Sequence, residues 1–487
     1  MSPALTADIA VIGAGPAGLA AANAAAAGGA STILVVDSAI QPGGQFWRHR
    51  TEASAGDDGH LHHGWDDYLA LRAAFDASIA TGVIDFRPST SVWAVAAGED
   101  GFILRLAPSH GPGQSPDPVV RASRLIIATG GYDRQIPIPG WDLPGVMAAG
   151  GIQGFAKQND LLPGRRFVIA GTGPFLLPVA DTVVRLGREV AAVLESSRLS
   201  GWLPHMRSAA RVPEKALEGA GYAWTFLRER IPYRTQTVIT EILGDDRVEA
   251  VRTARIDCLG EVVAGTERIL DDIDAVGLGW GFTPQLELPV ALGADTRVDV
   301  DGSLVAVVDE GQRSSEPGLL LAGEVTGVGG AALAVAEGRV AGAVAAAEVT
   351  GRTAPGLRAE RATIARHRAF AASMHRAHPV PAGWEGRLGE DTIVCRCEEV
   401  PAGAIVRARD GLAATDARSQ KNMTRAGMGW CQGRECGFAV TCLSGRGGEA
   451  APGAGHPAHA EDAAASLAQT MKRPVAQPVP LSTFFDL

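Results

Sequence analysis

Val11-Ile12-Gly13-Ala14-Gly15-Pro16-Ala17-Gly18 is the stretch on which the reading of this chain turns. It has the spacing G-x-G-x-x-G, follows the apolar run Asp8 to Ile12, and opens an alanine-rich stretch through about Ala27. In a strand–turn–helix unit each glycine has a physical task. Gly13 permits the tight turn, Gly15 lets a pyrophosphate approach the backbone, and Gly18 lets the helix lie close on the strand. Ala14, Pro16 and Ala17 complete the loop, and the phosphates meet the positive end of the helix. A second apolar run, Ser31 to Val36, ends at Asp37, where a carboxylate accepts hydrogen bonds from a ribose hydroxyl. An α/β, Rossmann-like dinucleotide-binding unit is therefore expected at the start of the chain.

The pattern recurs. Val168-Ile169-Ala170-Gly171-Thr172-Gly173-Pro174-Phe175-Leu176 opens a second strand–turn–helix unit, and its next strand ends at Glu195. Leu176 stands where the third glycine would be, so its side chain either pushes the helix off the strand or fills the nucleotide crevice. Glu195 would repel a 2′-phosphate. Two readings of the site Gly171, Gly173 and Glu195 stay open: NAD(H) or another adenine nucleotide, or a structural relic.

With 487 residues the chain has room for two or three domains. The net charge of -10 comes without any block of lysine or arginine, which excludes nucleic acid as an expected partner. No secretory signal is visible, and the apolar window Ala331 to Val349 is interrupted by Glu337 and Arg339. It reads as a buried helix and not a transmembrane segment, and a soluble, cytoplasmic protein is expected. Helices are also expected at Trp65 to Ala80 and, exposed and rich in arginine, at Ala359 to Ala377. His60, His62 and His63 read as a solvated loop.

Five of the six cysteines fall in the last hundred residues, which points to metal or redox chemistry before disulfides. Cys395-Arg396-Cys397 is followed after thirty-three residues by Cys431-Gln432-Gly433-Arg434-Glu435-Cys436. Four such thiolates can hold a [2Fe–2S] cluster or a structural zinc, and C-x-C beside C-x4-C favours the cluster over zinc's usual C-x2-C pairs. Gly427, Gly429 and Gly433 leave amides able to turn toward sulfur. Arg396, Lys421, Arg425 and Arg434 could offset the cluster's charge of roughly two negative units. Cys258 is expected in the core, and Cys442 is left out of the ligands. No C-x-x-C lies near the nucleotide segments, which argues against a disulfide-reductase mechanism. No acid–base pair for substrate oxidation announces itself, and the catalytic residues are left unassigned.

Three further segments carry a resemblance. Ile126-Ile127-Ala128-Thr129-Gly130 resembles the A-T-G element of two-dinucleotide-binding flavoproteins, and Leu320-Leu321-Ala322-Gly323-Glu324 resembles their second flavin motif. Gly43-Gly44-Gln45 is similar to the stretch beside the flavin in thioredoxin-reductase-like proteins. The run from Thr392 through Cys436 resembles the bacterioferritin-associated-ferredoxin-like (BFD-like) [2Fe–2S] domain. Nearly the whole chain, with the tail Arg473 to Leu481, resembles the FAD-binding polypeptide of heteromeric opine oxidases, the octopine and nopaline oxidases. Polypeptides of hydrogen cyanide synthase and of hetero-oligomeric proline or hydroxyproline dehydrogenases are similar.

The resemblance implies FAD held at the first site, with Gly44, Gln45, Thr129, Gly130, Gly323 and Glu324 beside it and Glu324 near the ribityl chain. It also implies a [2Fe–2S] cluster on Cys395, Cys397, Cys431 and Cys436. A partner flavoprotein subunit would oxidise the substrate, with room for FMN at the subunit interface and for a small third subunit. The expected domains are an FAD-binding domain in two parts, 1–150 and 271–350, with a nucleotide-binding-like domain at 151–270 inserted between them. A helical linker at 351–389, the [2Fe–2S] module at 390–445, and a flexible loop and tail at 446–487 follow. The function implied is electron transfer during oxidation of the C–N bond of an opine or secondary amino acid. A self-sufficient NADH-dependent reductase and a non-catalytic scaffold are the alternatives.

Overall fold

The fingerprint strand Leu5–Ile12 lies at the heart of a seven-stranded sheet. Ile33–Val36 and then Ile84–Arg87 pair in parallel on one side of it, and Val119–Ile127 pairs in parallel on the other. The free edge of Val119–Ile127 is divided between two partners. Its first half takes the antiparallel strand Gly101–Pro108, which in turn pairs with Thr90–Gly98. Its second half takes Leu319–Leu321 in parallel, with Leu125 opposite Leu319. Apolar runs such as Ile33–Val36 and Leu319–Leu321 are buried along their whole length, as strands covered on both faces must be. The chain was computed as a structural model, which describes residues 5–52, 58–109, 118–354, 356–445, 457–473 and 475–484.

Between Leu125 and Leu319 the chain leaves and builds a second sheet, all parallel, in the order Tyr233–Thr235, Glu189–Glu195, Arg166–Gly171, Ala275–Gly279, Val146–Ala148. An antiparallel layer of Thr237–Leu243, Ala250–Arg255 and Arg268–Asp271 adjoins it. The two crossings between the sheets run antiparallel to each other, Gly131–Asp133 against Phe282–Pro284. Val146–Ala148 and Ala275–Gly279 thus belong to the inserted sheet, so divisions at 150 and 270 would leave both strands outside the inserted domain. The signal for these edges is weak in sequence because both are short and follow turns rather than a change in composition.

Alanine and glycine set how closely the helices approach. Helix Pro16–Ala27 starts with Pro16, whose missing N–H costs nothing in a first turn, and buries Ala17, Ala20, Ala21 and Ala25. Helix Ala331–Thr350 crosses it with Gly338 and Gly342 at the contact. A Cβ there would lie 2.1 Å from the Ala17 carbonyl oxygen and 2.0 Å from that of Ala21. The helices therefore touch backbone to backbone. Among the described residues no helix is long and apolar enough to cross a membrane.

Helix Trp65–Ala80 has the bounds expected of it. Helix Arg358–Ala377 is not simply exposed: His367, Ala371, Ser373 and Ala377 are buried, and Arg368 pairs at 2.6 Å with the buried Glu337. The cysteine-bearing module contains the pair Ile393–Cys395 and Val400–Pro401 and helices Ala402–Leu412, Ala417–Thr424 and Gly437–Ser444. Its core is continuous with that of the inserted domain, where the Trp141 indole donates to the Ile393 carbonyl at 2.6 Å. Beyond it, Pro457–Met471 is a helix rather than part of a flexible tail; Leu467 and Met471 are buried against the first sheet. The rest of the expected flexible loop, residues 446–456, lies outside the described residues. Cys258 is exposed, not in the core, because it sits in a turn that Asp257 closes by accepting from the Leu259 and Glu261 amides.

A side chain at Gly342 should be intolerable, since only backbone lies in its way. Gly342→Val is expected to cost about 3 kcal/mol or more. Gly219→Ala, in open space on helix Pro213–Arg228, should instead gain up to about 1 kcal/mol. Thermal unfolding of both variants checks this pair of opposite signs.

Candidate functional site

A cavity of about 2050 Å³ runs through the molecule along the carboxyl ends of both sheets. Gly13, Gly15, Pro16, Ala17, Asp37, Gly44, Gln45, Thr129, Gly130, Gly323 and Glu324 all line it. Residues from five distant parts of the sequence therefore meet at one surface, at the crevice where open α/β sheets bind ligands. Two of the fingerprint residues lie beneath that surface. Gly18 packs under the turn, and the Ala14 amide donates to Asp37 Oδ2 at 2.5 Å. Asp37 Oδ1 accepts from the Ala39 amide at 2.7 Å. Each oxygen of a carboxylate has a further lone pair, so Asp37 can still accept from a diol in the cavity.

No side chain caps helix Pro16–Ala27, which leaves its first-turn amides for an anion. Gly130 and Gly330 have φ of +75° and +86° and open space where a Cβ would be, and both line the cavity. These positions form a cradle that only glycine leaves clear. Glu324 lines the same wall, but its carboxylate turns back to the start of helix Ala331–Thr350 and accepts from the Gly330 amide at 3.1 Å. Its extra methylene relative to aspartate allows that return, so the ribityl contact implied for it competes with a helix cap.

Titratable groups not singled out from the sequence also line the cavity. Lys157 is buried on helix Ala149–Asn159, donates to the Phe46 carbonyl at 2.9 Å and lies 5.6 Å from the Phe46 ring centre. Burial lowers it to about 8. Asp133 accepts from the Gly150 amide at 3.0 Å, and burial raises it to about 6. Neither has a motif; each becomes visible only when its helix is laid beside the first domain.

The second fingerprint has a different fate. Leu176 neither displaces its helix nor enters the crevice: it is fully buried, and the space is supplied by Gly279 on the neighbouring strand, where a Cβ would lie 2.9 Å from it. Glu195 is wholly buried, and the chain itself takes up its carboxylate. Gly173 and Ser197 amides donate to it at 2.9 Å each, and the Ser197 hydroxyl at 2.7 Å. His378 Nδ1 faces it at 3.5 Å, while His378 Nε2 accepts from the Trp202 indole at 2.9 Å. The Pro379 carbonyl accepts from the Thr172 hydroxyl at 3.1 Å. Burial alone would raise Glu195, yet His378 and the Ser197 donors hold it below its ordinary value. The large cavity does not reach Gly171, Gly173 or Glu195.

At the cysteine module the thiols meet as two pairs. Cys395 and Cys436 are buried and share a hydrogen bond, which draws Cys395 down to about 6 and pushes Cys436 up. Cys397 and Cys431 make the outer pair. Gly427 donates its amide to Cys395 Sγ at 3.4 Å, and a Cβ on Gly429 would lie 2.3 Å from that of Cys397. Among the described residues no three His, Cys, Asp or Glu side chains converge as they would on one metal ion. Cys442 stays apart, deeply buried, with its thiol pushed up by that burial.

Of the four cations expected there, Arg425 is paired with Glu398 at 2.8 Å and Arg396 stacks on Trp141 at 5.1 Å. Arg434 instead turns inward to Tyr132 and Glu287.

The chain has four lysines, so the Lys157 resonance can be followed alone. Its ammonium is charged below its midpoint and neutral above. Side-chain NMR should show that midpoint at about 8 rather than the ordinary 10.5. A value near 10.5 would contradict desolvation at this position.

Residues 7–348 match the family model of pyridine nucleotide-disulphide oxidoreductases. The opine oxidase A-subunit of Rhizobium meliloti (strain 1021) is 33% identical over 447 residues, covering 90% of this chain and 92% of that protein. The HcnB polypeptide of hydrogen cyanide synthase from Pseudomonas aeruginosa is 32% identical, covering 88% of this chain and 90% of the relative. Among solved structures, L-proline dehydrogenase from P. horikoshii superposes with a TM-score of 0.65 over 98% of this chain and 79% of that one; at 18% identity this supports the fold alone. With two dinucleotide-type domains, one inserted in the other, and a relative aligned over nearly its whole length, the chain belongs to the pyridine nucleotide-disulphide oxidoreductases, alongside the opine oxidase A-subunits, and is an FAD-dependent oxidoreductase.

Proposed function

We propose that this chain is the electron-transfer component of a heteromeric dehydrogenase or oxidase acting on the C–N bond of an opine or a secondary amino acid. In this reading FAD occupies the first site, a [2Fe–2S] cluster sits on Cys395, Cys397, Cys431 and Cys436, and a partner flavoprotein carries out most of the substrate oxidation. The observation that carries it is the shared cavity: the fingerprint residues Gly13 and Gly15 and the cysteine-loop residues Trp430, Cys431 and Arg434 line one continuous space.

The donor sets suit the two groups. The uncapped helix Pro16–Ala27, the Asp37 carboxylate and the clear positions at Gly130 and Gly330 would hold the dinucleotide. Four thiols that meet as two pairs, Cys395 with Cys436 and Cys397 with Cys431, would give each of two irons its two thiolates, and the C-x-C and C-x4-C spacing favours that over zinc. Flavin supplies a carrier that exchanges two electrons and can release them singly to a one-electron centre. The relatives from opine oxidase and hydrogen cyanide synthase are themselves named as subunits, which supports a partner here. FMN at the interface and a small third subunit complete the proposed assembly.

The alternative NADH-dependent reductase is opposed by the second site, where Glu195, the acid that would hold a nicotinamide nucleotide's ribose, is taken up by Gly173, Ser197 and His378. NADH added anaerobically to the purified chain is expected to leave the flavin unbleached. A partner co-expressed with the chain should confer dye reduction with one member of an opine and proline panel.

Two substitutions separate the proposed centres. Gly13→Ala places a Cβ 2.4 Å from the Ala128 carbonyl oxygen and should weaken flavin retention at least about tenfold. Cys431→Ser should keep the flavin and lose the iron. Flavin, iron and sulfide assays check both, and a wild-type chain with flavin and stoichiometric zinc would refute the cluster.

A further inference from the structure

Tyr132, Glu287, Arg434 and Arg473 come from four separate segments and meet between the flavin-side wall and the cysteine loop. Tyr132 lies on Gly131–Asp133, two residues past Gly130. Glu287 begins helix Glu287–Leu292 and is 1% exposed. Its Oε1 faces Arg434 Nε at 2.9 Å, accepts from Arg473 Nη1 at 2.9 Å and from the Tyr132 hydroxyl at 3.2 Å. Arg434 Nε also donates to the Tyr132 oxygen at 2.7 Å, and Arg434 Nη1 to the Cys431 carbonyl at 3.3 Å. Arg434 Nη2 reaches the Ala476 carbonyl at 2.5 Å, which ties the tail to the loop. A continuous hydrogen-bonded chain therefore leads from the strand after Thr129-Gly130 to the backbone of a cysteine.

The charges in this network do not cancel. Two guanidiniums face one carboxylate, a surplus of one positive charge, and Arg473 is buried. Among the described residues Glu287 Oε2 and Arg473 Nε have no hydrogen-bond partner, and no second carboxylate pairs with either guanidinium. Lys421 adds a further cation within electrostatic reach of Arg473 and Cys436. A buried ion pair with one uncompensated charge costs stability, and a stabilising core would not need it. A metal centre that gains a negative charge on reduction would use it: fixed positive charge favours the reduced form, and burial leaves that field poorly screened.

We propose that the surplus positive charge of Arg434 and Arg473 raises the reduction potential of the centre on the four cysteines, with Glu287 as the positioning residue that holds both guanidiniums and partly offsets them, and Tyr132 fixing Arg434 between that centre and the flavin wall. The inference rests on the proposed cluster and assigns the residues that tune it.

The test uses the full-length protein purified anaerobically. Iron and sulfide are assayed first, and the centre is then titrated against redox mediators and followed by EPR. Arg473→Gln removes one positive charge and should lower the reduced-to-oxidised ratio at a fixed poise about tenfold, ~59 mV for one electron. Glu287→Gln removes the negative charge and should raise the ratio by a similar factor. A purely structural role would move both variants the same way or neither.

Opposite shifts support the proposal. Shifts of the same sign, or a centre indifferent to both changes, overturn it while leaving the cluster reading intact. If Arg473→Gln does not fold, Glu287→Gln decides: a rise supports the proposal and no rise overturns it. A wild-type protein free of iron would overturn the cluster reading and this inference together.

Discussion

Three backbone segments lie on one another at the first fingerprint with no side chain between them. A Cβ on Gly18 would fall 1.7 Å from the Gly13 carbonyl oxygen, and one on Gly13 would fall 2.4 Å from that of Ala128. This stacking fixes the turn against both its helix and the strand that ends in Thr129-Gly130. The same strand accepts Leu319–Leu321 along its other edge, and that pairing delivers Gly323 and Glu324 to the cavity. The long excursion that builds the second domain is tolerated because it begins and ends at this fixed corner.

Two copies of one motif have reached different ends. In the first, the carboxylate that follows the second strand bonds amides of its own loop but keeps a face toward open space. In the second, Glu195 is enclosed by Ser197, His378 and the Gly173 amide. The difference arises from a distant segment. Helix Arg358–Ala377 docks on the first domain through Arg368 and Glu337, and its end carries His378 and Pro379 over the second crevice. Leu176, the visible departure from the motif, is accommodated by Gly279.

What the sequence made legible was local. The glycines of both turns, the acids at 37 and 195, helix Trp65–Ala80 and the four cysteines could be found because spacing encodes them. Leu320-Leu321-Ala322-Gly323-Glu324 was found through resemblance; its Ala322, Gly323 and Glu324 line the cavity, and Glu324 accepts from the amide at a helix start. Lys157, Asp133, Glu287 and Arg473 were not legible as site residues. Each sits in an ordinary segment, and its meaning depends on partners more than a hundred residues away or on burial, as Glu287 with Arg473 shows. The inserted domain's outer strands were missed for a related reason: strands of three residues carry almost no periodicity.

Under the proposed function one polypeptide houses a two-electron and a one-electron carrier that open on a common space. Stepwise anaerobic reduction of the purified chain, with electron equivalents counted against bound flavin, addresses this most directly. The chain should consume one equivalent per molecule beyond the two that its flavin takes, with the extra electron appearing as a paramagnetic iron–sulfur signal. Uptake that ends when the flavin is reduced, with no such signal, would contradict it.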